Sequence, residues 1–66
     1  MIILAATICL RLDALTVECY TSVIRTERTQ AACAAMIRPV EAWLKEVAQG
    51  LPVVLIAAEC KRGEVI

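Results

Sequence analysis

The stretch that decides the fold is PVEAWLKEVAQGLPVVLIAAE, residues 39–59, in which a helical pattern changes abruptly to a strand pattern. Its first half carries apolar residues at the spacing of one face of an amphipathic helix: Val40, Trp43, Leu44 and Val47. Gly50 and Pro52 end that helix, because glycine suits the position after a helix and proline cannot continue one. The apolar run that follows predicts a buried strand over residues 53–59.

The segment before this stretch is also predicted to be helical. Residues 29–38, TQAACAAMIR, contain strong helix formers and hardly any polar face. Pro39 follows, and it lacks the backbone N–H that a helix interior needs. It either kinks one long helix or opens a second helix at its first position. The sequence therefore predicts one Pro-kinked helix or a helix pair.

Two further segments precede the helical region. Residues 2–12, IILAATICLRL, are continuously apolar up to Arg11, which predicts a central strand. Residues 16–26, TVECYTSVIRT, are rich in β-branched residues and favour a second strand, with Asp13 in the hairpin turn. In the alternative, Asp13 caps a helix whose apolar stripe contains Leu15, Cys19 and Val23. The two interpretations give the element orders β-β-α-β and β-α-α-β.

The preferred order predicts a fold of the α+β class in one domain, residues 1–66. Strands one and two pair as a hairpin, and the helix then carries the chain across to strand three. Such crossovers are right-handed in about 98% of cases. We therefore expect a small three-stranded mixed sheet in the spatial order 2-1-3, with strand one in the centre and strand three at an edge.

Composition predicts that the chain associates with itself. Of its 66 residues, 61% are apolar, against about 45–50% in a typical soluble chain. A domain this small buries only about 60% of its unfolded surface, and the apolar third strand offers an edge without a blocking charge. We expect a homodimer or larger oligomer. The expected core or interface anchors are Trp43, Val40, Leu44, Val47, Val53 and Leu55.

Charge and run length argue against two classes of partner. Seven basic and seven acidic residues give a net charge of zero, without the Lys and Arg clusters that bind nucleic acid. The apolar runs 1–10 and 51–58 fall short of the roughly 20 residues of a membrane-spanning helix. The first run also lacks the basic start of a secretory signal. We therefore expect a cytoplasmic protein whose first partner is itself, with another protein as the alternative partner and neither nucleic acid nor a membrane as one.

The four cysteines are Cys9, Cys19, Cys33 and Cys60. The chain contains no Cys-x-x-Cys pair and no histidine, so the common zinc, haem and thioredoxin-type patterns are absent from the sequence. Neither a metal nor a cofactor is expected. Without a secretory signal, we expect the cysteines to be reduced, buried and slow to react.

The end of the third strand carries the charged residues Glu59, Lys61 and Glu64. The pattern Glu-x-Lys after an apolar strand resembles the catalytic strand end of one nuclease superfamily. That resemblance implies that Glu59 holds Mg²⁺ and that Lys61 orients the attacking water. In that superfamily a hairpin partner supplies an aspartate and a helix follows the strand. Here Asp13 lies in the predicted hairpin loop and the helix comes first, which favours a charged strand terminus instead.

The expected function is therefore binding rather than catalysis. We expect a small, obligately oligomeric interaction, assembly or inhibitor-type protein that binds a macromolecule or a ligand at a subunit interface. The alternative is a small oligomeric enzyme whose site forms between subunits, including the nuclease-like site at Glu59 and Lys61.

Overall fold

A computed structural model describes residues 1–63 of the chain. These residues form four elements: β1 (Ile2–Arg11), β2 (Val17–Glu27), α1 (Gln30–Val47) and β3 (Val53–Arg62). The strands make one sheet in the order β2-β1-β3. The α+β class and the spatial order 2-1-3 are confirmed. The alternative order β-α-α-β is wrong, because residues 17–27 pair with β1 as a strand.

The sheet is antiparallel, so the expected mixed sheet is wrong. Within the described residues, β1 pairs antiparallel with β2 on one side and with β3 on the other. The hairpin reverses the chain between β1 and β2, and α1 then returns it to the end of the sheet from which β2 started. The crossover therefore makes β3 parallel to β2, which is not its neighbour, and antiparallel to β1, which is.

Helix α1 is continuous through Pro39, as one helix rather than a pair. Its N-cap is Thr29, whose Oγ1 accepts a hydrogen bond of 3.1 Å from the backbone N–H of Ala32. After the helix, Gly50 has a φ of 87°, a left-handed conformation that glycine adopts without a steric penalty. No helix within residues 1–63 combines the length and the apolar character needed to cross a membrane.

The core lies between α1 and the strands β1 and β3. Its buried residues are Leu4, Ala6, Cys33 and Val40. Side chains that are partly buried pack around them: Ile2, Met36, Ile37, Leu44, Ala58 and Cys60. Strand β2 contributes none of these residues, and all of its residues except Glu27 are exposed. The helix thus covers two strands and leaves the third uncovered.

All four cysteines are in disulfides, so the expected reduced thiols are wrong. Cys9 lies directly opposite Cys19 in the hairpin and is bonded to it, and Cys33 of α1 is bonded to Cys60 of β3. Nothing in the local sequence pattern indicates which cysteines are close enough to pair. The strand register and the position of α1 over β3 bring them together in pairs.

Candidate interaction surface

Strand β2 and the neighbouring flank of α1 expose large apolar side chains. On β2, Tyr20 is 52% exposed and Ile24 is 38% exposed. On α1, Trp43 is 53% exposed and Val47 is 61% exposed. These fractions place all four side chains outside the core, although their residue types are typical of one. They are exposed because α1 lies over β1 and β3.

A groove runs along the surface between β2 and α1. Its volume is about 620 Å³, and it is largely open to solvent. We call it the β2–α1 groove, and its lining residues are Ile24, Arg25, Thr26, Met36, Pro39, Val40 and Trp43. The lining is mainly apolar and concave, which suits the insertion of apolar side chains from a partner.

Charged and polar groups on β2 pair with each other along the strand. The Nε atom of Arg25 lies 2.6 Å from Oε1 of Glu27. The hydroxyl of Tyr20 donates a hydrogen bond of 2.5 Å to Oε2 of Glu18. That hydrogen bond, together with the negative charge of Glu18, raises the pKa of Tyr20 above its usual value.

The face of the sheet away from α1 holds the hairpin together. The Cys9–Cys19 disulfide links β1 to β2 there. The next pair on this face is Thr7, two residues before Cys9, and Thr21, two residues after Cys19. Their Oγ1 atoms lie 2.8 Å apart in a hydrogen bond. A covalent bond and a hydrogen bond therefore fix β2 against β1, although no helix covers β2. This makes β2 a firmly placed edge strand.

The hairpin turn is fixed by a local contact. The carboxylate of Asp13 accepts a hydrogen bond of 2.8 Å from the backbone N–H of Leu15. This contact lowers the pKa of Asp13, and a hydrogen bond with Thr16 adds to the effect. Asp13 is therefore a turn residue, in the role that the sequence predicts for it.

The six expected anchors divide between the core and the surface. Val40 is buried, and Leu44 and Val53 are half-buried. Trp43, Val47 and Leu55 are exposed. The helical stripe is thus split, since Val40 and Leu44 face the sheet while Trp43 lines the β2–α1 groove.

Sequence reasoning did not identify the apolar side chains of β2 as part of an interaction surface. Tyr20, Val23 and Ile24 lie in the segment predicted to be a strand, and their types favour burial. The available signal was the size of the helical layer, because one helix about 10 Å wide cannot cover three strands spaced about 4.8 Å apart.

Glu59 and Lys61 form an exposed ion pair with a distance of 3.0 Å between Oε1 and Nζ. Glu59 lies opposite Ala5, near one end of the sheet, whereas Asp13 lies in the turn beyond the other end of β1. Eight residues of extended chain separate these levels by about 26 Å. Within residues 1–63, no group of three side chains is placed to hold a metal ion. The nuclease-like interpretation rests on the triplet alone, and Glu64 lies outside the described residues.

Comparison of the chain with family models, with curated proteins and with solved structures gave no match.

Proposed function

We propose that this chain is a small, obligately self-associating interaction protein that binds at a subunit interface. The observation that carries the proposal is the exposure of Tyr20 and Ile24 on β2 together with Trp43 and Val47 on α1. Removing apolar surface from water contributes about 25 cal/mol for each Å². A large apolar patch on a small chain marks a surface that another molecule covers.

The β2–α1 groove supports a binding role over a catalytic one. Its lining is mainly apolar, and Trp43 is the type of residue that most often dominates binding energy at interfaces. Arg25, the charged residue in the lining, is paired with Glu27. The enzyme alternative would need reactive groups supplied from a second subunit, and no contact within residues 1–63 favours one.

The disulfides bear on where the protein works. The expected cytoplasmic location implied reduced thiols, whereas disulfides persist mainly in oxidising compartments. The Cys9–Cys19 and Cys33–Cys60 bonds remove that support. We propose that the protein acts where these bonds are stable, with itself as its first partner.

The replacement Trp43→Ala tests the proposed function. Because Trp43 is half-exposed in the single chain, its loss should leave the helical circular dichroism signal nearly unchanged. Truncation of a central interface tryptophan typically costs at least about 2 kcal/mol of binding, so the dissociation constant for self-association should rise about 30-fold. Sedimentation equilibrium over a range of concentrations measures this constant.

The matched control is Lys45→Ala. Lys45 is also an exposed residue of α1, but it lies on a different side of the helix from Trp43. Its dissociation constant should stay within about twofold of the wild type, as expected for a surface position. An unchanged constant in Trp43→Ala would show that the β2–α1 groove takes no part in association.

A further inference from the structure

The two edges of the sheet differ in a way that decides where a partner strand can add. On β3, the backbone N–H of Ala58 donates a hydrogen bond of 3.1 Å to Oε2 of Glu41 on α1. The middle of that edge is thus already bonded to a side chain from the helix. The Cys33–Cys60 disulfide also holds α1 close to β3. Strand β3 is an edge strand, as the sequence predicts, but Glu41 gives it a protecting contact that the sequence does not predict.

The outer edge of β2 has no equivalent protection within residues 1–63. The backbone N–H of Leu12 bonds to the carbonyl of Thr16 at 2.9 Å, and bonded and non-bonded pairs alternate along an antiparallel ladder. Cys9 and Cys19 are three positions from that hydrogen-bonded pair. Their backbone groups are therefore not hydrogen-bonded to each other, in agreement with their short Cα–Cα distance of 4.0 Å. It follows that the backbone groups of Cys19, Thr21 and Val23 point away from β1, toward solvent.

We infer that a second copy of this chain pairs antiparallel with β2 along this edge, about a two-fold axis at Thr21. The inference rests on the proposed self-association and names its interface. At that axis the two Thr21 residues would exchange backbone hydrogen bonds, and Cys19 would pair in the same way with Val23 of the other copy. The two sheets would join into one six-stranded antiparallel sheet.

Charge selects this register. Leu4 pairs with Arg25, and the next residue of β1, Ala5, pairs with Val23. Ile24 is therefore an extra residue in a β-bulge, and Ile24 and Arg25 together occupy one position of the ladder. With the axis at Thr21, Glu18 of each copy lies opposite Arg25 of the other, which gives two favourable cross-strand pairs. An axis one position along, at Ser22, would place Glu18 opposite Glu27 and create two repulsions.

The same pairing covers the apolar surface on β2 and α1. Each helix lies over β1 and β3, so strand spacing places the two helix axes about 19 Å apart. Subtracting a helix diameter of about 10 Å leaves a gap of about 9 Å between them. Both β2 strands form its floor, and Trp43 and Ile24 of both copies fill it. The contact would run along the whole of β2, about 36 Å for its 11 residues.

Charge reversal with rescue tests the pairing. Glu18→Arg alone and Arg25→Glu alone each turn both cross-strand pairs into repulsions, so each should raise the dissociation constant of the dimer by about tenfold or more. The double variant Glu18→Arg/Arg25→Glu exchanges the charges and should restore the constant to within about threefold of the wild type. Sedimentation equilibrium at constant salt gives all three constants.

The matched controls are Glu59→Lys and Lys61→Glu, which reverse an exposed pair on the other edge strand. Both should dimerise like the wild type. Retained dimerisation in both β2 single variants, or failure of the double variant to recover, would overturn the β2 register while leaving self-association intact. A wild type that is itself monomeric would instead contradict the proposed function.

Discussion

Replacing Cys33 and Cys60 together by alanine is expected to lower the free energy of unfolding by about 3.5 kcal/mol. Chain entropy gives this value for a bond between residues 27 apart in sequence. The bond ties α1 to β3 across a core with only four buried residues in its main cluster. Because small domains have a total stability of only about 5 kcal/mol, the variant should be largely unfolded at 37 °C.

Urea unfolding followed by far-ultraviolet circular dichroism measures this loss at a fixed chain concentration. The comparison variant replaces Cys9 and Cys19, which are 10 residues apart, and its expected loss is about 2.7 kcal/mol. The order of the two losses follows from the lengths of the closed loops. A loss below about 1 kcal/mol for the Cys33 and Cys60 variant would mean that the bond does not hold the helix in place.

Leu4→Ala is expected to cost about 3–4 kcal/mol, since removal of a buried leucine side chain loses its transfer free energy and leaves a cavity. Leu4 is 0% exposed and lies in the central strand, where α1 packs on the sheet. The chain has few other buried large side chains that could collapse into the space. The midpoint of urea unfolding should fall sharply.

Leu15→Ala is the matched control, since Leu15 lies in the hairpin turn and is 96% exposed. The same chemical change there should alter stability by less than about 0.5 kcal/mol. Equal losses in the two leucine variants would contradict the placement of the core between α1 and β1.

Much of the fold could be predicted from the sequence because its elements have strong local signals. The apolar run before Arg11 identified β1, and the helical spacing of Val40 and Leu44 identified the face of α1 that packs on the sheet. The β-branched residues of 17–27 favoured a strand, and the structure confirms one. The order 2-1-3 then followed from a hairpin joined to a crossover.

The candidate interface could not be predicted, because it depends on where α1 lies across the sheet. Helical spacing groups Trp43 with Val40, but only the position of the helix shows that Trp43 is on the flank that faces β2. The protection of β3 by Glu41 is likewise a contact between residues 17 apart in sequence. The disulfide pairs also depend on such distant contacts, which local patterns do not specify.

The most direct test is the mass of the oxidised wild-type protein in solution, measured by sedimentation equilibrium from about 1 to 100 μM. Self-association through β2 predicts a species of twice the 7.2 kDa chain mass, with Trp43 emission shifted to shorter wavelength as the dimer forms. A monodisperse 7.2 kDa monomer across this range, with Trp43 freely quenched by iodide, would contradict it.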